Sequence, residues 1–85
     1  MLRIKRFVDG ESTVFAISGR IEGEDLEQLE SLLRGETQGV ILDLKEVSLA
    51  GHESVQFLGR HEENGARLRN CPAYIREWIS KQRGN

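Results

Sequence analysis

Hydrophobic and polar positions along the chain switch between a period of two and a period of 3.6. Leu2-Arg3-Ile4-Lys5-Arg6-Phe7 begins by alternating, as a half-solvated edge strand does. Asp9-Gly10-Glu11-Ser12 is a turn between two strand-like runs, which predicts a hairpin. Thr13-Val14-Phe15-Ala16-Ile17-Ser18 runs apolar without alternation and reads as a central strand. From Gly23 the period changes: Leu26, Leu29, Leu32 and Leu33 form one stripe of an amphipathic helix. Glu22, Glu24, Asp25 and Glu27 crowd its start, where the helix dipole favours anions, and Gly35 is its stop signal.

A second apolar strand follows over Val40-Ile41-Leu42-Asp43-Leu44, then a short loop from Val47 to His52. A weaker helical pattern near 53–64 turns Val55, Leu58 and Phe57 inward and ends at Asn64-Gly65. Ala66-Arg67-Leu68-Arg69 is a short outer strand. Pro72 suits the first turn of a last helix, with Ile75, Trp78 and Ile79 as its core stripe and Tyr74 beside it. The polar tail 81–85 is expected to fray.

The predicted order is β-β-α-β-α-β-α. Each strand–helix–strand unit crosses over right-handed and makes its strands parallel. The expectation is an α/β fold: one small domain over 1–85, a mostly parallel four-stranded sheet with an N-terminal β-hairpin, and helices mainly on one face. Amphipathic strands lie outside and the two apolar strands inside. Val14, Ala16, Ile41 and Asp43 form a thin opposite face that is not fully polar, so a partner or a second copy, as in a homodimer, could cover it.

Composition narrows the function classes. Eighty-five residues make a single core but hardly a deep enclosed pocket as well. A lone cysteine, Cys71, excludes an intramolecular disulfide and a Cys-rich metal knuckle. The basic start lacks the apolar stretch of a signal peptide, and no apolar run is long enough to span a bilayer, so a cytoplasmic protein without membrane insertion is expected. The net charge is −2, with eight acids between residues 9 and 36 against Arg20 and Arg34. That polarity can orient a protein partner. Nucleic-acid binding is not expected, because it needs a basic face with stacking aromatics and three of the five aromatics sit in apolar runs.

The run Val40-Ile41-Leu42-Asp43-Leu44-Lys45-Glu46-Val47-Ser48-Leu49-Ala50 resembles the central segment of a STAS domain, the family of anti-sigma factor antagonists and of sulphate-transporter cytoplasmic tails. Ile17-Ser18-Gly19-Arg20-Ile21 resembles that family's turn into the first helix, and Gly65-Ala66-Arg67-Leu68 its turn and strand after the second. The resemblance covers roughly residues 2–80. It implies a non-catalytic bacterial signalling module whose partner is an anti-sigma factor or a signalling kinase. In bacterial members the turn after the inner strand carries Asp-Ser-Ser/Thr-Gly, and the partner kinase phosphorylates the serine after the Asp. A phosphate there adds close to two negative charges at a helix N-terminus. The matching positions here read Gly51-His52-Glu53-Ser54, so the standard serine switch is not expected, and Glu53 offers a fixed negative charge instead. The implied partner-binding loop is Ser48, Gly51, His52, Glu53 and Ser54, with Gly19, Arg20 and Glu22 beside it.

The alternative is a small ligand-binding protein or enzyme that uses Cys71 or the pair His52 and His61. The histidines stand nine residues apart, about 2.5 helical turns, which sets them on opposite sides of a helix rather than on one metal-binding face. Glu53 with Glu62 or Glu63 reads as a charged helix face rather than an acid/base pair. Cys71, before Pro72 at a helix start, could have a lowered thiol pKa, but a buried small hydrophobe is its more ordinary role. Trp78 reads as a core anchor. The nine glycines never form a Gly-x-Gly-x-x-Gly or a phosphate loop, so no cofactor is expected.

Overall fold

The computed structural model describes residues 2–36 and 38–82. Its elements are β1 (Arg3–Asp9), β2 (Ser12–Ile21), a 3-10 turn (Gly23–Asp25), α1 (Leu26–Arg34), β3 (Gly39–Ala50), α2 (His52–Glu63), β4 (Arg67–Arg69) and α3 (Ala73–Gln82). The strand order is β1-β2-β3-β4, with β1 antiparallel to β2 and the other pairs parallel. This is the predicted β-β-α-β-α-β-α order, and the sheet sequence follows because each crossover steps one strand further. Asp9 pairs with Ser12 across a tight hairpin whose Gly10 has a φ of 65°.

The core lies on one face of the sheet. Phe15 and Ile17 of β2 and Leu42 and Leu44 of β3 pack with Leu29 and Leu33 of α1 and Val55, Phe57 and Leu58 of α2. Ile75 and Ile79 of α3 complete the same cluster, so all three helices share that face. Each of these large side chains contributes about 1.5–3 kcal/mol by leaving water. Gly59 allows α3 to approach: a Cβ there would sit 3.5 Å from the Ile79 side chain. Among the described residues, no helix is long and apolar enough to cross a membrane.

Several sequence expectations are corrected. The predicted loop from Val47 to His52 is mostly strand, since β3 runs on to Ala50. Its pairing with β2 slips by one residue between Ala16 and Ser18 and again between Gly19 and Arg20, so β3 carries an extra residue at each place and reaches further. Leu32, expected in the core stripe, is exposed, because α1 turns only Leu29 and Leu33 fully inward. Trp78, expected as a core anchor, is 40% exposed and packs edge-on against Tyr74 at 6.1 Å. Pro72 stands just before α3, its carbonyl accepting the first helical bonds from Ile75 and Arg76. Lys81 and Gln82, expected to fray, are the last residues of α3, and 83–85 lie outside the described residues.

Candidate functional site

The C-terminal ends of β2 and β3 lie side by side, with Arg20 opposite Leu49 and Ile21 opposite Ala50. From there β2 leads into the 3-10 turn, and β3 leads through Gly51 into α2. Gly19 has a φ of 95°, a backbone state in which a side chain is strained, and it sits at the second register slip. The Ser54 hydroxyl, itself buried, donates a 2.8 Å hydrogen bond to the Ile21 carbonyl. That bond pins the first turn of α2 to the end of β2. On the other side, the Ala50 N–H donates to the Tyr74 hydroxyl at 3.1 Å, which ties the same junction to α3. The junction is therefore held from two directions.

Above this frame lies an open cleft of about 300 Å³, lined by Arg20, Glu22, Leu49, His52 and Glu53 with Ser54 at its floor. Leu49 is 49% exposed, a large apolar side chain with water on one side. Arg20, Glu22, His52 and Glu53 are exposed around it. Glu53 lies over Gly23, where a Cβ would stand 3.2 Å from its carboxylate oxygen, so glycine leaves the carboxylate room. The Glu22 N–H donates to the Asp25 carboxylate at 2.9 Å, which fixes the turn before α1. Gly51 is the N-cap of α2 in extended backbone, with no side-chain cap, and its carbonyl accepts the Val55 N–H at 2.9 Å. The N–H groups of the first turn of α2 thus point outward beneath Glu53 with the positive end of the helix dipole behind them.

The structure brings the expected loop residues Gly51, His52, Glu53 and Ser54 together with Gly19, Arg20 and Glu22. Ser48 departs from the expectation: it is an exposed strand residue of β3 and lines no part of the cleft. Ser54 is buried, and its hydroxyl ties the first turn of α2 to the end of β2. The sequence reading takes in Leu49 only as part of the loop 48–54, and it does not foresee Gly23 or Tyr74 at this junction. Leu49 lay in a run read as loop, and the Tyr74 and Gly23 contacts join positions far apart along the chain.

The residues of the alternative reading are scattered. His52 opens α2 and is exposed, whereas His61 lies near its end, with Nε2 3.2 Å from Glu30 Oε1 and its ring 4.4 Å from that of Phe57. Glu62 binds the Arg76 guanidinium through both oxygens at 2.9 Å, joining α2 to α3. Cys71, half-buried rather than fully so, has its thiol pushed up by desolvation first, with Arg76 opposing and Glu62 adding to the rise. The lowered thiol weighed from the sequence is thus corrected: burial outweighs the nearby cation.

No family model matches the sequence, and no curated protein matches it. Solved structures do share its fold. A STAS-domain anti-sigma factor antagonist from Rhodobacter sphaeroides is 17% identical, with a TM-score of 0.59 over 80% of this chain and 83% of that one. The anti-sigma factor antagonist SpoIIAA in its unphosphorylated form is 18% identical, with a TM-score of 0.64 over 96% of this chain and 80% of that one. A structure of Mglu is 19% identical, with a TM-score of 0.61 over 81% of this chain, and the match spans only 19% of its length. The chain has the STAS-like fold.

Proposed function

We propose that this chain is a non-catalytic docking module that regulates a partner protein, and that Arg20, Glu22, Leu49, His52 and Glu53 form the surface it presents. The observation that carries this reading is the Ser54–Ile21 bond, which locks two turns into one frame under an exposed leucine ringed by charge. A rigid apolar anchor with a polar rim is the anatomy of a binding patch. Two of the structures that share the fold are anti-sigma factor antagonists, which supports an anti-sigma factor or a signalling kinase as the partner. The same reading makes it a cytoplasmic protein.

The patch works without the serine switch. His52 occupies the position that the resemblance assigns to the phosphoacceptor, and Glu53 supplies a constant negative charge over the start of α2, where the helix dipole favours it. Binding is then governed by the partner's abundance or state rather than by a phosphate on this chain.

Calorimetric titration with an anti-sigma factor of the same organism tests the reading. Leu49→Asp and Glu53→Arg are each expected to weaken binding about tenfold or more, the loss of one anchor or charge at a patch centre. Incubation with that partner and MgATP is expected to leave Ser48 and Ser54 unmodified. Stoichiometric phosphate within 48–54 would restore the switch that the sequence argues against.

A further inference from the structure

Strand β1 is an open edge of the sheet. Among the described residues it pairs with β2 alone, and every residue along it except Ile4 is exposed. The hairpin decides which of its backbone groups are free. Gly10, with its positive φ, and Glu11 make a two-residue turn closed by Asp9 and Ser12. The residues that close such a turn exchange both hydrogen bonds, and bonded pairs then alternate along an antiparallel ladder. Asp9, Phe7, Lys5 and Arg3 therefore bond to Ser12, Val14, Ala16 and Ser18 of β2. Ile4, Arg6 and Val8 point their N–H and C=O groups outward, where no described strand meets them.

We infer that this edge pairs with the same edge of a second copy of the chain, antiparallel and centred on Arg6, so that two four-stranded sheets join as one. An unpaired strand edge is a template for another strand, and register selects the occupant. Centred on Arg6, Ile4 of each copy faces Val8 of the other and Arg6 faces Arg6, so every outward group on these residues finds a partner. The same register sets Arg3 opposite Asp9 and Lys5 opposite Phe7, each twice by symmetry, in an isologous contact. Opposite charges directly across an antiparallel pair attract. Val8, 57% exposed in the single chain, gains Ile4 as an apolar neighbour.

The charges already on the edge permit this contact. Arg6, which meets its own kind, is matched within its chain by Glu36, which accepts two bonds from it at 2.8 and 3.1 Å. The ion pair of Asp9 with Arg69 is long, at 3.7 Å, and both side chains are well exposed, so turning Asp9 toward Arg3 costs little. Other registers fare worse. A slide of one residue sets the outward groups against residues already bonded to β2. A slide of two residues sets Lys5 against Lys5 in one direction. In the other it leaves Ile4 opposite the Gly10 turn, beyond the end of the facing strand.

Light scattering of the full chain over a concentration series tests this. The mass is expected to rise from 9.7 kDa in dilute solution to twice that at millimolar concentration. A mass that stays at 9.7 kDa throughout overturns the proposal and leaves the edge to a different strand. Arg3→Asp and Asp9→Arg each set like charges opposite one another, so each alone is expected to stay monomeric, whereas an equimolar mixture restores both pairs and doubles in mass. A mixture that stays monomeric contradicts the register, as does either variant pairing alone as strongly as the wild-type chain. Circular dichroism establishes that each variant is folded. Amide hydrogen exchange of the wild-type chain gives a reading without substitution. The Ile4, Arg6 and Val8 amides are expected to exchange about tenfold or more slower in the concentrated sample than in the dilute one, while Lys5 and Phe7, bonded to β2, are slow in both. Exchange at Ile4, Arg6 and Val8 that ignores concentration overturns the proposal even where the mass doubles, because the copies then meet through another surface.

Discussion

The Ser54 hydroxyl lies 2.8 Å from the Ile21 carbonyl, across 33 residues of sequence, and this contact makes one surface of two turns. Ser54→Ala leaves a buried carbonyl without that donor and is expected to cost about 1–2 kcal/mol. Urea unfolding measures the loss. The same variant is expected to weaken partner binding although Ser54 itself is buried, because Glu53 and Arg20 lose their common frame.

Gly51 caps α2 with backbone alone, and a Cβ placed there meets nothing within 4 Å. Gly51→Asp is therefore expected to stabilise the fold by a few tenths of a kcal/mol, through a side-chain cap and a favourable charge at the helix start. Thermal denaturation checks the direction: a lower midpoint would show that the junction needs a residue without a side chain.

Arg6 donates to both oxygens of Glu36 at 2.8 and 3.1 Å, joining β1 to the chain beyond α1. The hydrogen bonds from Arg6 hold the Glu36 carboxyl below the usual carboxylate range. A carboxyl whose pKa is lower in the folded state adds stability above its unfolded value, and that stability is lost as pH falls through the folded one. Unfolding free energy is accordingly expected to decline below about pH 4.3, the ordinary glutamate value, and Arg6→Gln to flatten that decline. Denaturation of both proteins between neutral and acid pH measures it.

Burial pushes the Cys71 thiol up, so thiolate is scarce near neutral pH. Iodoacetamide labelling followed by mass spectrometry is expected to show slow alkylation at neutral pH that accelerates in alkaline buffer. Rapid alkylation at neutral pH would favour the enzyme alternative.

The fold was legible where burial follows a regular period. Phe15 and Ile17 on β2, and Leu29 and Leu33 on α1, repeat at strand and helix spacing and gave the element order and the helix-covered face. The end of β3 was not legible. Its buried residues Leu44, Val47 and Ala50 recur every third position, because the two register slips against β2 each insert a residue. A strand with that spacing reads as loop, which is why the sequence places 48–54 in one binding loop without singling out Leu49. Trp78 departs for another reason: its helical stripe is real, but of that stripe only Ile75 and Ile79 join the buried cluster. At the site, the positions Gly51–Ser54 came from the resemblance, whereas the ties to Ile21 and Tyr74 bridge 33 and 24 residues and leave no local pattern.

The most direct measurement is an amide NMR titration of the isotope-labelled chain with an anti-sigma factor of the same organism. The account predicts that shift changes concentrate in residues 19–23 and 49–54, with the ends of the strands responding before the rest of the sheet. Saturable binding whose changes fall around His61 and Glu30, around Cys71, or across β1 and β4 while residues 49–54 stay still would contradict it.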